Sequence, residues 1–333
     1  MIRFSLGVLF LLVQATGADV VYERAPASAR TCRIESWSMD GLRISVGTED
    51  KQQVIPWHRI KSVESDMVGI GLVEHLKRGT MLWRAKIRLL RGDLELAKPL
   101  FREVFLALKN SDGVDSFLAA EGLLRCELAQ GNANNAVAPW LVCIRHLQHG
   151  ASSPFTSLAS VFDAETLLCK HLPPVWDQEA IEKDTRTLKI QGDLMQAFFD
   201  AAHQRDRESQ PFLGPKLLQQ FFILRNPSHP NYEKVKNALI QIEEDHWLSA
   251  WNLYAEAQGL LSGGQQILEE GQLKLVELIA LYGEEQPLLG GFALHALIET
   301  TQSTGQQSLS QNLLREFEKT YPNHPLLQGK RSH

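Results

Sequence analysis

From about Leu72 to its C-terminus, this chain of 333 residues places apolar side chains at the 3.6-residue period of an α-helix. A helix with one apolar stripe is stable only when that stripe is covered, so a long succession of such stretches folds by stacking helix on helix. The stretch "LLRGDLELAKPLF", residues 89–101, shows how the succession is punctuated: a Gly-Asp pair stands between two apolar runs, each with helical spacing. No Gly-x-Gly or Gly-Lys-Ser/Thr accompanies the glycine to present backbone N–H groups to a phosphate. The pair therefore reads as the tight turn of a helical hairpin.

Ahead of the helices the period is two. "TCRIESWSMDGLRISVGTEDKQQVIPWHRIKSV" reads as three short strands separated by Met39-Asp40-Gly41 and Thr48-Glu49-Asp50-Lys51, both with turn chemistry. Cys32, Ile34, Leu42, Ile44, Val46, Val54 and Ile55 supply the apolar positions, and Pro56 is expected to end a strand or lie on an edge. Residues 19–30, with Pro26 and several alanines, read as a tether. Three strands are marginal alone, so the unit is expected to lean on the helices that follow. The first residues, "MIRFSLGVLFLLVQATGA", set Arg3 before an apolar run and end it with Ala15, Thr16, Gly17 and Ala18. That is the pattern of a signal peptide, and a mature chain starting near Asp19 is expected. No later run is apolar for the length a bilayer requires.

Counted from Gly92, Ala85 lies seven residues before, Ala97 five after and Phe101 nine after. The stretch resembles a tetratricopeptide (TPR) repeat, in which small residues let two helices cross closely. Gly131 repeats the arrangement with Ala136 and Trp140, Leu124 standing where the family has a small residue. Gly305, Leu314, Phe317 and the closing "YPNHP" repeat it again, with Ser310 in the alanine position and Pro322 as the inter-repeat proline. Weaker hairpins surround Gly192 and span residues 246–282, turning at Ser262-Gly263-Gly264. The stretch "IPWHRIKSV" resembles the last strand of small SH3-like or Sm-like barrels, and the closing proline motif resembles TPR proteins of the bacterial cell envelope. These resemblances imply a mainly α fold, a TPR-like α-α superhelix of antiparallel helical hairpins preceded by a small antiparallel β unit. The expected division is signal peptide 1–18, β domain 19–66, helical repeats 67–150, an irregular break 151–180 around Pro173-Pro174, a second helical lobe 181–327 and a tail 328–333. Pro99 and Pro139 fall inside second helices and are expected to bend them.

The formal net charge is -5 with both signs spread along the chain, which disfavours nucleic acid as a partner. Export makes disulfides possible among Cys32, Cys126, Cys143 and Cys169. If Cys126 and Cys143 face each other across the Gly131 turn, their heights differ by roughly 10 Å at about 1.5 Å per residue, too far for a bridge. Buried free thiols are the expectation.

Zinc takes cysteine and histidine, and Cys143, His146 and His149 are spaced by three, with Cys169 and His171 beyond. Steps of three on a helix fan such side chains apart, so solvated histidines at a helix end are expected instead. Glu243 and His246 form a single Glu-x-x-His where a di-iron bundle needs two. Gly69 and Gly71 begin a Gly-x-Gly, but Glu74 takes the third glycine's place. No metal or other cofactor and no catalytic residue is assigned. Arg84, Arg88 and Arg91 recur as a stripe on the first helix of the opening repeat, with Lys86 beside them and Lys77 and Arg78 a turn or two earlier. Arginine holds carboxylates bidentately, so the stripe is a candidate protein-binding site, taking either an acidic partner or Glu49 and Asp50 of the β unit.

The functional expectation is a non-catalytic protein-binding or assembly scaffold of the cell envelope, periplasmic or secreted, presenting a concave helical-repeat surface to a protein or peptide. Two alternatives stand beside it. One is a polysaccharide-acting hydrolase with acidic residues in a helical concavity; the other is a binder acting through the β unit, with the helices as a dimerisation element.

Overall fold

The computed structural model describes residues 19–24, 29–47, 51–66, 69–205, 211–239, 247–262 and 265–328. The expected signal peptide, Pro26, Glu49, Asp50, Glu243, His246, the Gly263-Gly264 turn and residues 329–333 lie outside the described residues. The chain divides into two compact units, Met1–Trp83 and Arg84–His333.

In the first unit five strands, β1 (Asp19–Glu23), β2 (Ala29–Ser38), β3 (Gly41–Val46), β4 (Lys51–Ile55) and β5 (Ile60–Glu64), form an antiparallel sheet in the order β4-β3-β2-β1-β5. The sheet thus exceeds the three strands expected, and β1 forms where a tether was expected. β1 pairs with two neighbours, Asp19 opposite Cys32 and Val21 opposite Val63. Its inward side escapes an apolar pattern because it carries Val21 and then Glu23, whose buried carboxylate is held by Arg30 at 2.6 Å and Arg59 at 2.8 Å.

Val21, Ile34, Leu42, Ile44, Ile55 and Ile60 make the core of this unit. Trp57, from a 3-10 turn at Trp57–Arg59, and Leu72, from helix α1 (Ile70–Leu90), complete it. Pro56 follows the end of the edge strand β4, as its missing N–H requires. Val54 and Val46 are exposed, contrary to expectation. Val54 alternates away from buried Ile55, and Val46 is the last residue of its strand. The Trp57 indole donates to the Ser38 carbonyl at 2.9 Å and stacks on His75 of α1 at 4.9 Å. Gly79 allows that approach, since a Cβ there would overlap the Trp57 carbonyl. The β unit does lean on a helix, the first part of α1.

The second unit is helical: α2 (Leu94–Leu108), α3 (Val114–Ala129), α4 (Ala133–Gln148), α5 (Gln178–Thr185), α6 (Gly192–Ala202), α7 (Leu213–Leu224), α8 (Tyr232–Leu239), α9 (Trp247–Leu261), α10 (Gln265–Tyr282), α11 (Pro287–Ser303), α12 (Gln307–Thr320) and α13 (Pro325–Gln328). Sequence neighbours pack together along most of its length, α2 with α3, α3 with α4, α6 with α7, α9 with α10, α10 with α11 and α11 with α12. Pro99 and Pro139 sit inside the uninterrupted helices α2 and α4.

The turns repeat to the atom. Gly92, Gly131 and Gly305 all have positive φ, at 82°, 69° and 77°. Each N–H bonds back to the carbonyl three residues earlier, while the next residue's N–H reaches the carbonyl five residues earlier. This is the Schellman ending, which satisfies carbonyls the helix leaves orphaned and needs a left-handed residue that glycine supplies without strain. Five residues on, Ala97, Ala136 and Ser310 are all buried. Leu124 is buried as well, and the close approach on α3 is made two residues earlier, at Gly122, whose absent Cβ leaves room for the Phe101 ring of α2.

Gly192 opens α6 instead of joining two helices, because α5 has already ended at Thr185. Residues 149–177 contain no helix, yet Phe155, Phe162, Leu168, Leu172 and Trp176 within them are buried. Trp176 lies 6.1 Å from both Trp140 of α4 and Phe222 of α7, so the irregular stretch packs on helices before and after it.

Ala97 has no exposed surface, so Ala97→Leu forces added atoms into a filled space and is expected to cost about 1 to 3 kcal/mol. Glu103→Ala, on the exposed side of the same helix, is expected to change stability by less than about 0.5 kcal/mol. Urea unfolding midpoints of the two variants check this register, and equal midpoints contradict it.

Candidate functional site

The arginine stripe does not remain one surface. Arg84 and Arg91 are exposed, whereas Arg88 is half-buried and donates to the Leu96 carbonyl at 3.3 Å across its own turn. Lys86 faces elsewhere: its ammonium donates to the Pro154 carbonyl at 3.1 Å and lies 5.9 Å from the Phe155 ring. Burial lowers the Lys86 pKa, and the Glu121 carboxylate opposes that shift. Lys77 is exposed, while Arg78, in the first unit, contacts Met39 and His75 at 3.5 and 3.4 Å.

The cysteine and histidine series disperses in the same way. His146 is buried, 3.3 Å from the Ser116 hydroxyl and stacked on Phe117 at 5.1 Å, while His149 is exposed. A solvated His146 was expected; the inward face of α4 takes it instead, because its ring finds both an aromatic and a hydroxyl there. All four cysteines are buried free thiols. Burial pushes Cys126 and Cys169 up to about 12 and Cys143 well above its ordinary value, which keeps them protonated and unreactive. Among the described residues no three His, Cys, Asp or Glu side chains are grouped to hold a metal ion.

Two carboxylates on α3 are wholly buried, and the sequence pattern singled out neither. Glu121 Oε1 accepts from Arg125 Nη2 at 2.7 Å, Arg125 Nε at 3.0 Å and the Ser153 hydroxyl at 2.9 Å. Glu127 is held by Lys98 at 2.7 Å, Arg102 at 3.2 Å and Asn132 at 3.0 Å. Arg145, equally buried, donates to the Lys109 and Ser111 carbonyls at 2.8 and 2.7 Å. Each buried charge is thus tied to a neighbouring segment: α3 to α2, α3 to the stretch after α4, and α4 to the end of α2. Such pairs hold a structure in register, and removing one partner leaves a charge stranded in low dielectric.

A hollow lies elsewhere, in the last two hairpins. Its volume is about 660 Å³; Val276, Ile279 and Ala280 of α10 form one wall and Leu313, Glu316 and Thr320 of α12 the other. Leu294 and Leu297 of α11, barely exposed themselves, form the floor. Glu284 and Tyr321 stand at the end where α10 and α12 terminate. Burial raises the Tyr321 pKa, and the negative charges of Glu284 and Glu316 add to the shift. Leu273 of α10, 70% exposed, and Leu309 of α12, 46% exposed, continue the apolar faces beyond the hollow by helical spacing. The sequence analysis missed this hollow; its one trace there is "LKLVELIALY", residues 273–282, which carries more apolar side chains than one buried stripe uses but does not show which of them are left open.

Beyond that acidic end the closing segment folds back. His324 is buried, with Nε2 donating to the Leu288 carbonyl at 3.0 Å and Nδ1 accepting from the Leu326 N–H at 3.4 Å. Pro325 reaches the Gly131 turn, where a Cβ would come within 2.9 Å of it. Gln286 donates to the Lys170 carbonyl at 3.1 Å, a second tie between the last hairpin and earlier parts of the unit.

No family model matches the sequence, and neither characterised proteins nor solved structures yield a match. No helix of the described residues is long and apolar enough to cross a membrane.

Burial holds the His324 pKa below its ordinary 6.5, and nearby His295 adds to the shift while the Leu288 bond partly offsets it. The unfolded chain then binds the proton more readily than the folded one. The stabilisation is complete above about pH 6.5 and is lost as the pH falls from there through the depressed folded value. The urea midpoint is expected to fall on acidification, and to fall less steeply in His324→Gln; His75 and His171, also depressed by burial, contribute to the slope that remains, and Asp163, held low against the effect of burial by its bonds to Thr166, adds to it at lower pH. Identical slopes contradict the assignment.

Proposed function

We propose that this chain is a non-catalytic protein-binding module of the cell envelope, a TPR-like array that holds a protein partner on its helical surface. The observation that supports this reading is the contrast between its charges and its apolar side chains. The fully buried carboxylates are locked by cations of the same unit, so they are poor candidates for acid–base work on a substrate. Apolar side chains that a folded core would cover are left open instead, along α10 and α12, as at a binding surface. Export to the envelope rests on the N-terminal pattern of Arg3, an apolar run and small residues.

A photo-crosslinking amino acid placed at Val276, at Arg84 and, as a control, at Glu103 tests the proposal in the producing cell. Protein adducts are expected from Val276 or Arg84 and not from Glu103, on a chain recovered from the envelope with its N-terminus near Asp19. No protein adduct from either position, together with release of sugar from envelope polysaccharide by the purified chain, contradicts the reading and supports a hydrolase.

A further inference from the structure

We infer that the groove between α10 and α12 receives an amphipathic helix of a partner protein, one that carries Lys or Arg at the end lying over Glu284 and Glu316. The inference rests on the binding-module reading and adds the occupant. Its first support is shape. Leu273, Val276 and Ala280 form an outward row at i, i+3 and i+7 spanning about 10 Å, roughly two turns of helix. Leu309 and Leu313 form the facing row on α12. Two such rows above a closed floor accept the i, i+3, i+4, i+7 face of a third helix.

The second support is charge. The charged residues lining the hollow are Glu284, at the end where α10 and α12 terminate, and Glu316, about one turn before the end of α12. The C-termini of α10 and α12 arrive at that same end, and the partial negative charge of each adds to the carboxylates. Between Gln265 and Ser303 the sequence holds Glu269, Glu270, Glu277, Glu284, Glu285 and Glu299, with Lys274 its single lysine or arginine. Lys274 is already bound to Glu256 at 2.9 Å. Arg315 and Lys319 of α12 lie off the Leu309-Leu313-Glu316 face by helical spacing. The groove is therefore apolar along its length and anionic at one end, which suits a helix with a leucine-type stripe and a terminal cation and disfavours an acidic one.

The test uses the full chain as bait for a displayed library of helical peptides, depleted first on Val276→Lys protein. Val276 is half exposed, so that substitution is expected to leave folding intact, which circular dichroism checks. Enriched peptides should share an i, i+3, i+4, i+7 apolar stripe with Lys or Arg at one end. A synthetic copy of the most enriched one should lose affinity at least about tenfold with Glu284→Lys plus Glu316→Lys, and recover it when its own cations are changed to glutamate. Enrichment of acidic or non-helical peptides, or indifference to the charge reversal, overturns the inference. So does a concentration-dependent dimer abolished by Val276→Lys, which makes the occupant a second copy of this chain. If the library yields nothing while crosslinks from Val276 still capture a protein, the basic helix is wrong and the binding-module reading stands. If both fail, that reading loses the groove as well.

Discussion

Gly131 serves two demands at once, and the placement of the last hairpin depends on both. Its positive φ ends α3 in a Schellman turn, and its missing Cβ leaves the space that Pro325 and Leu288 occupy. A residue with a side chain is strained in that backbone region by about 1 to 2 kcal/mol, and here the side chain would also press on the proline ring. The walls of the groove, α10 and α12, both pack on α11, which is anchored at its start by Leu288 against this turn and by Gln286 on the Lys170 carbonyl. This contact and the Gln286 bond tie the last hairpin to earlier parts of the unit.

Buried charge plays the complementary part in the first helices of the unit. Glu127 with Lys98 and Arg102, and Arg145 with two carbonyls at the end of α2, specify which helix faces which. Pairs like these add little net stability compared with apolar packing, but they exclude shifted registers in which a charge would be left alone. Lys86 belongs to this set although it sits among the arginines in sequence. Its ammonium is held at the Pro154 carbonyl, so a run of basic residues in a helix does not amount to one basic surface.

The features legible in the sequence were those set by local chemistry. Glycine at Gly92, Gly131 and Gly305, small residues five positions on and the large apolar residue at Phe101 follow from the turn and from the helix period, and all three spacings hold in the fold. β1 was not legible because its second inward position is Glu23, a residue whose burial depends on Arg30 of the neighbouring strand and on Arg59, which is distant in sequence. Gly122 was missed for a similar reason: its partner, Phe101, belongs to another helix. The groove was hidden because exposed Leu273 and Val276 read like core residues in a one-dimensional pattern, and only the packing of α10 on α9 and α11 shows which apolar face is left over.

Hydrogen exchange on Gly92→Ala and Gly131→Ala separates the turn from the contact it makes. Both substitutions force alanine into a left-handed conformation, but around Gly92 no atom lies within 4 Å of the new Cβ, whereas at Gly131 it meets Pro325. Both variants should therefore exchange faster at their own turns, and only Gly131→Ala should also lose protection across α11, α12 and α13. Equal protection of those three helices in the two variants would contradict the claim that the last hairpin, and the groove on it, is held in place by the Gly131 turn.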